Sequence, residues 1–509
     1  MLAKRSPGIV AILASVMLVG PALAHDPAHH ASESIKGGLG VSHFSTSGSP
    51  QAQQHFLRGL LLLHSFEYAA ARNAFQAAQQ AEPGFAMAVW GEALTYNHTL
   101  WNEQDTAAAR TALARLGATP EQRLSRAPTA RERDYLASVE QLYGVGDKPQ
   151  RDANYSSALG ALARRYPNDL DARALYALSI IGLSGSTRNV ANYMRAAAEA
   201  EAVYEIDRHH PGALHYLIHA YDDPIHAPLG LRAARLYSRV APQAEHAQHM
   251  PSHIFFALGL WDDAIEANSA SLKISRAEGE GGYHALLWLE YAYLQKNMRP
   301  EAAELVRSVA HDVEVNPTRE NRLRLAFARA TWLVETRAAA GPDANLAVDS
   351  SGIISFGYFA VHDFARGISA AAAGDLAGAR FALTQLRARC EVVPTGTTPV
   401  TAAWYDETSA GELTEAKAMA EALEGTIQFY SANHAAGLTQ VQAAIAATAR
   451  MEFEYGPPWS VKPLDELLGE LLLVDGQRDA AVGAFRKTLA SYPGRRLALE
   501  GLAAASAVP

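Results

Sequence analysis

Two stretches, HHPGALHYLIHAYDDPIHA (209–227) and AEHAQHMPSHIFFALG (244–259), share one internal rule. His215 and His219 are four residues apart, as are His249 and His253, and the second pair follows the first by 34 positions. Four residues is a little more than one helical turn, so the members of each pair share a helix face. A step of 34 that preserves the pair implies equivalent helices in neighbouring copies of one structural unit. Eight of the nineteen histidines in this 509-residue chain lie within 209–253, far above an even spread.

The same period punctuates the rest of the chain. Ala71, Phe75, Ala78 and Pro83 follow Gly59 at offsets of 12, 16, 19 and 24, and Gly476, Ala481, Phe485 and Pro493 follow Gly469 at 7, 12, 16 and 24. Gly259 with Trp261 and Ala264, and Gly367 with Gly374 and Ala379, repeat parts of the signal. Small residues let two antiparallel helices approach, the aromatic fills their seam, and proline stops the second helix. Residues 102–150 and 388–412 fit poorly and carry Pro128, Gly144, Gly146, Pro394 and Gly396, so they are expected to be irregular connections, with a Thr129–Glu132 capping box restarting a helix.

These spacings over about 51–500 resemble the tetratricopeptide-repeat (TPR) family. LLLHSFEYAAARNAF (61–75), AMAVWGEAL (86–94), HAPLGLRAARLYSRVAP (226–242), HMPSHIFFALGLWDDAIEAN (249–268) and EYGPPWSVKP (454–463) look like a group of exported bacterial TPR proteins. The resemblance implies an all-α solenoid of antiparallel helix pairs with a concave groove, and no particular reaction. Carried over residue by residue, it places His215, His219, Asp222 and Asp223 in the groove from one repeat and His246, His249 and His253 from the next. His64 and His98, again 34 apart, would face it from the N-terminal repeats. Pro251 is expected to bend or restart its helix, which would leave His246 and His249 ahead of it.

Composition narrows the chemistry. A net charge of −9, with no run of five or more Lys or Arg, excludes the electrostatic footprint of a nucleic-acid binder. The one cysteine, Cys390, excludes an internal disulfide, a Cys-rich zinc site and an iron–sulfur cluster. Any metal must then be held by His, Asp or Glu. HExxH, Walker A and GxSxG motifs are absent, as is a GxGxxG between strand and helix.

Residues 1–24 read as a secretory signal: Lys4 and Arg5, an apolar run from Ile9 to Leu18, and Ala22-Leu23-Ala24 as the cleavage site. The expected address is the periplasm or the exterior, with no membrane span. Residues 25–50 are expected to be a flexible leader in which His25, His29 and His30 offer a further copper-chelating option, and 501–509 a tail.

Imidazole suits borderline divalent metals such as zinc, copper, nickel or iron, and two HxxxH pairs on adjacent helices supply three or four ligands. Asp222 or Asp223 would be a further ligand, an orienting carboxylate or a general base. Recognition of an organic ligand or peptide, and a satisfied structural network, are the alternatives. His209, His210 and His226 stand beside prolines, where helix capping accounts for them. Two function classes follow: a binding or scaffold module using the groove for a protein, peptide or small ligand, and a metal-dependent hydrolase or oxidase with the His/Asp cluster as its active site.

Overall fold

Helices begin and end where the punctuation places them. Ser49 accepts from the Ala52 amide to cap Pro50–His64, and after three residues Tyr68–Ala81 returns against it. The pattern of short turn and antiparallel return recurs to the C-terminal helix Arg496–Ser506. The computed structural model describes residues 38–185, 188–279, 282–338, 341–351, 357–391, 410–451 and 456–507. Residues 1–24, expected to be a secretory signal, His25, His29, His30 and most of 388–412 lie outside the described residues.

Glycine–phenylalanine wedges set the spacing within the helix pairs. The buried Phe75 ring fills the space between Gly59 and Gly91, where an added Cβ would come within 2.8 and 2.3 Å of it. Phe485 does the same between Gly469 and Gly501, at 2.9 and 2.3 Å. Burying one such ring contributes roughly 1.5–3 kcal/mol, available only because the facing helices carry no side chain at those points. The fold is an all-α, TPR-like solenoid of antiparallel helix pairs. The only strands among the described residues are the two-residue segments Asn97–His98 and Glu103–Gln104. No described helix is long and apolar enough to cross a membrane.

Three expectations are corrected. Residues 501–506, expected to be part of a tail, belong to the helix Arg496–Ser506, with Gly501 and Ala505 buried. Residues 102–150 are largely helical, with Thr106–Ala114, Pro120–Leu124 and Ala130–Leu142 separated by short turns. Thr129 and Glu132 form the expected capping box, and Pro120 stands in the first turn of its helix, where a proline costs no hydrogen bond. Residues 38–49 are packed rather than flexible. Leu39 and Phe44 are buried, with Phe44 against Phe56, Trp90 and Tyr135, and the Ser42 hydroxyl donates to Asp171 at 2.9 Å. His, Ser and Gly lower the mean hydropathy of this segment, but two apolar anchors suffice to hold it.

The buried side chains form two main clusters, one from Leu39 through Ala292 and the other from Leu272 through Ala505, with Ile265 packed against both. The C-terminal end ties back to the middle of the chain. Gly259, at φ 67° past the Pro251–Leu258 helix, lies so close to Pro493 that a Cβ would come 2.5 Å from its carbonyl oxygen. The Trp261 indole donates to the Gly494 carbonyl at 3.0 Å. Arg495, fully buried, pairs with Glu335 at 2.7 Å and Glu466 at 2.6 Å and donates to the Tyr291 hydroxyl at 2.7 Å. The histidine-rich helices lie between these closures.

The wedges predict opposite signs for two glycine-to-alanine changes. Gly501→Ala, which drives a methyl into Phe485, should lower stability by about 1–3 kcal/mol. Gly483→Ala, in an exposed helical position with nothing near its Cβ, should raise it by about 0.5–1 kcal/mol. Denaturant and thermal unfolding of the two variants check this; equal shifts would show that the wedge does not set the helix spacing.

Candidate metal centre

Three successive repeats deliver the histidines. Pro211–Ala220 carries His215 and His219, 0% and 4% exposed. The next repeat is broken at Met250 into Glu245–His249 and Pro251–Leu258, because Pro251 cannot continue the hydrogen-bond ladder. His246 and His249 stand before the break and His253 after it. His284, in the first turn of Tyr283–Gln295, completes the group. The positions expected to face a groove are enclosed instead: Pro50–His64 packs against Pro211–Ala220, and Phe66, Tyr237 and Trp288 lie against the imidazoles.

The ring nitrogens fall into two sets of three. Those of His249, His253 and His284 lie within 4.8 Å of one another, and so do those of His215, His219 and His246. Proton positions in the first set follow from its partners. The Asn268 amide nitrogen donates to the Ala264 carbonyl at 2.9 Å, which turns Oδ1 toward His249 Nδ1 at 2.7 Å; that Nδ1 must carry the proton. His253 Nδ1 likewise donates to the Asp222 carboxylate at 2.6 Å. In the neutral rings both Nε2 atoms are therefore bare acceptors, and they face each other at 3.1 Å.

Two lone pairs at that distance repel unless a proton or a cation lies between them. Burial holds the His249 pKa well below its ordinary value, with His284 and His253 adding to the effect, which disfavours a proton on His249 and leaves a cation, or a proton on the His253 ring paired with Asp222, to fill the contact. Two imidazoles on one tetrahedral ion, with metal–nitrogen bonds of 2.0–2.1 Å, would place their nitrogens about 3.3 Å apart, close to what is found.

The second set gathers its nitrogens as closely, but its partners fix the tautomer of His215 alone, so the His219 Nε2–H can donate to His215 Nε2. His215 Nδ1 donates to the His64 backbone carbonyl at 2.6 Å, leaving Nε2 bare and facing His219 Nε2 at 3.0 Å. His246 Nε2 is buried without a hydrogen-bond partner. Burial pushes the His215 pKa down to about 3 and those of His219 and His246 well below the usual range. The Phe66 ring lies 4.3, 5.7 and 5.6 Å from the rings of His215, His219 and His246. Phe66 occupies the left-handed region at φ 58° in the turn after Pro50–His64, where glycine is the usual residue. Trp288 holds the corresponding place in the other set, 4.9, 4.6 and 5.5 Å from His249, His253 and His284.

The carboxylates divide by role. Asp222 orients His253 through Oδ2, while its buried Oδ1 has no hydrogen-bond partner, and it groups with His219 and His253 where the two sets meet. Asp223 is turned away and engaged by Arg188 at 2.9 Å and by His226 at 2.8 Å. His64 lies outside both sets: its Nε2 donates to Asp171 at 2.9 Å, its Nδ1 accepts from the Tyr216 hydroxyl at 2.9 Å, and its carbonyl positions His215. His210 caps Pro211–Ala220 by accepting from the Ala213 amide and points Nε2 at Asp171 from 3.4 Å. The His64–Asp171–His210 group is thus a hydrogen-bonded support. His98 is apart from the centre, stacked on Tyr68 and 3.2 Å from Glu103.

Sequence reasoning missed His284. Its signal was one further step of the repeat: His284 and Trp288 follow His249 and His253 by 35 residues, with Trp288 at the second histidine's position.

No protein-family model matches the chain, and no curated protein matches it. Similar solved structures include the human IFIT1 dimer with m7Gppp-AAAA (15% identity, 91% of this chain and 90% of that one, TM-score 0.36). Others are the P58(IPK) TPR domain (10%, 89% and 97%, TM-score 0.23) and yeast Tom70 (10%, 89% and 88%, TM-score 0.33). The solenoid assignment rests on this chain's own helix pairs and glycine–phenylalanine wedges.

The depressed histidine pKa values have a stability consequence. A pKa held at about 3 in the folded chain, against 6.5 ordinarily, favours folding fully above 6.5 and loses that contribution as pH falls toward 3. Metal-free protein should therefore lose stability between pH 6.5 and about 5, before carboxylates titrate, by about 1.4 kcal/mol per pH unit for each imidazole held neutral. Unfolding midpoints across that window measure it; a flat profile would mean that the rings are not held neutral.

Proposed function

We propose that this protein is a helical-repeat metal-binding protein whose six-histidine centre holds divalent transition-metal ions. The observation that carries the reading is the pair of bare Nε2 atoms of His249 and His253, set face to face with both Nδ1 protons committed elsewhere. His215, His219 and His246 supply a second set, and Asp222 and Asn268 orient the ligands of the first, as outer-shell partners of metal-bound histidines do. An all-imidazole donor set without thiolate suits zinc, copper, nickel or iron. Burial favours neutral rings, the form that binds metal.

The signal-like residues 1–24 support a periplasmic or secreted location. TPR-like folds commonly serve as interaction scaffolds, and the remaining surface of the solenoid is available to a protein or peptide partner.

Untagged protein purified without chelator should contain stoichiometric transition metal. The His219→Ala/His253→Ala double variant should lose it while keeping its far-UV helical signal. Asp222→Asn should weaken metal affinity by about 10–100-fold, as loss of an orienting carboxylate does. A parent that is metal-free and cannot be loaded with zinc, copper, nickel or iron would leave the imidazoles as a structural network and end this reading.

A further inference from the structure

The two three-histidine sets are alike in ligand type, helix origin and aromatic cover, but they differ in access to solvent. In the first repeat pair, His215 is fully buried, His219 is 4% exposed, and the half-buried His246 turns a solvent-inaccessible Nε2 inward. The Phe66 ring contacts all three, and Tyr237 stacks on the far side of His215 at 5.3 Å. An ion bound there would meet ligands and aromatic carbon.

The set of His249, His253 and His284 has two buried members, His249 and His253, but its third, His284, is exposed. His284 stands in the first turn of its helix with Gly282 as the N-cap, so its ring reaches the set from the surface. Its ring is 4.4 Å from that of His249 and 6.5 Å from that of His253, and Trp288 flanks it on one side at 5.5 Å. Three nitrogens leave one position of a tetrahedral ion without a protein ligand, and at this set one of the three ligands, His284, reaches the surface.

We infer that the centre holds two ions, one in each three-histidine set, and that only the ion at His249, His253 and His284 exchanges a small anionic or oxygen-donor ligand with solvent. This rests on the metal-binding reading. Two observations support two ions over one shared ion. Each set has its own Nε2–Nε2 pair, at 3.0 and 3.1 Å, and each has its own flanking aromatic ring. Asp222, with one oxygen on His253 and the other without a partner, stands at the boundary, where it shields one site from the other's charge. One closed and one open site is the arrangement expected when one ion is structural and the other meets substrate.

The test uses the full-length, untagged protein loaded with cobalt(II), whose visible absorption reports each site, and titrated with azide. The parent should bind two equivalents, and azide should shift the absorption of one of them. His284→Ala should retain one equivalent and lose the azide response; His246→Ala should also retain one equivalent but keep the response. Far-UV circular dichroism verifies folding of both variants, and the fraction of the parent spectrum that responds to azide tests the asymmetry without any variant. A parent that binds a single equivalent, or in which azide shifts both or neither, overturns the two-ion inference and leaves metal binding intact. A parent that binds no cobalt, zinc or copper overturns the metal-binding reading itself.

Discussion

Residues 34 apart in this chain lie side by side in space, and the rest of the structure depends on that register. It arises where successive helix pairs are of similar length and approach each other closely. Phe75 between Gly59 and Gly91, and Phe485 between Gly469 and Gly501, set that approach, since an added Cβ would come within 3 Å of the ring at every one of these glycines. A rigid spacing turns a pair of histidines in one repeat into a column across three. His215, His249 and His284 occupy equivalent places in consecutive repeats, and His219, His253 and Trp288 form the parallel column.

Enclosure then changes what the column can do. On an exposed helix, four-spaced imidazoles are hydrated and partly protonated. Here the packing of Pro50–His64 against Pro211–Ala220, with Phe66 held in an unfavourable backbone region, encloses the set of His215, His219 and His246. A left-handed backbone at a bulky residue costs roughly 1–2 kcal/mol, which the surrounding contacts must offset. Desolvation holds the pKa values of His215, His219, His246, His249 and His284 below the ordinary imidazole range, and the hydrogen bonds from Nδ1 to the His64 carbonyl, the Asn268 amide oxygen and the Asp222 carboxylate orient Nε2 toward the centre. Neutral rings with their lone pairs gathered are unfavourable by themselves and favourable around a cation.

Much of the fold was legible because it is periodic. Small residue, aromatic and proline recur at constant offsets, and each acts through local sterics. The segments that defeated sequence reading lack that period: 102–150 forms short capped helices among breakers, and 38–49 is held by Leu39 and Phe44 in an otherwise polar stretch. Of the centre, His215, His219, His246, His249 and His253 could be named from spacing. Asp222 and Asp223 could not be separated, since adjacent residues at a helix end are equivalent on paper while only one meets His253. His64 and His98 share the 34-residue step but not the surroundings, and neither ring joins a set.

The helical repeat, the pairing of histidines on helix faces and the exclusion of thiolate chemistry follow from spacing and residue type within one unit. The division of six histidines into two sets of three, the place of His284 in one of them and the enclosure of the other emerge only from packing in three dimensions. The enclosure depends on Pro50–His64 packing on Pro211–Ala220 and on Phe66 covering the imidazoles, contacts between residues too far apart in the chain for a local period to encode.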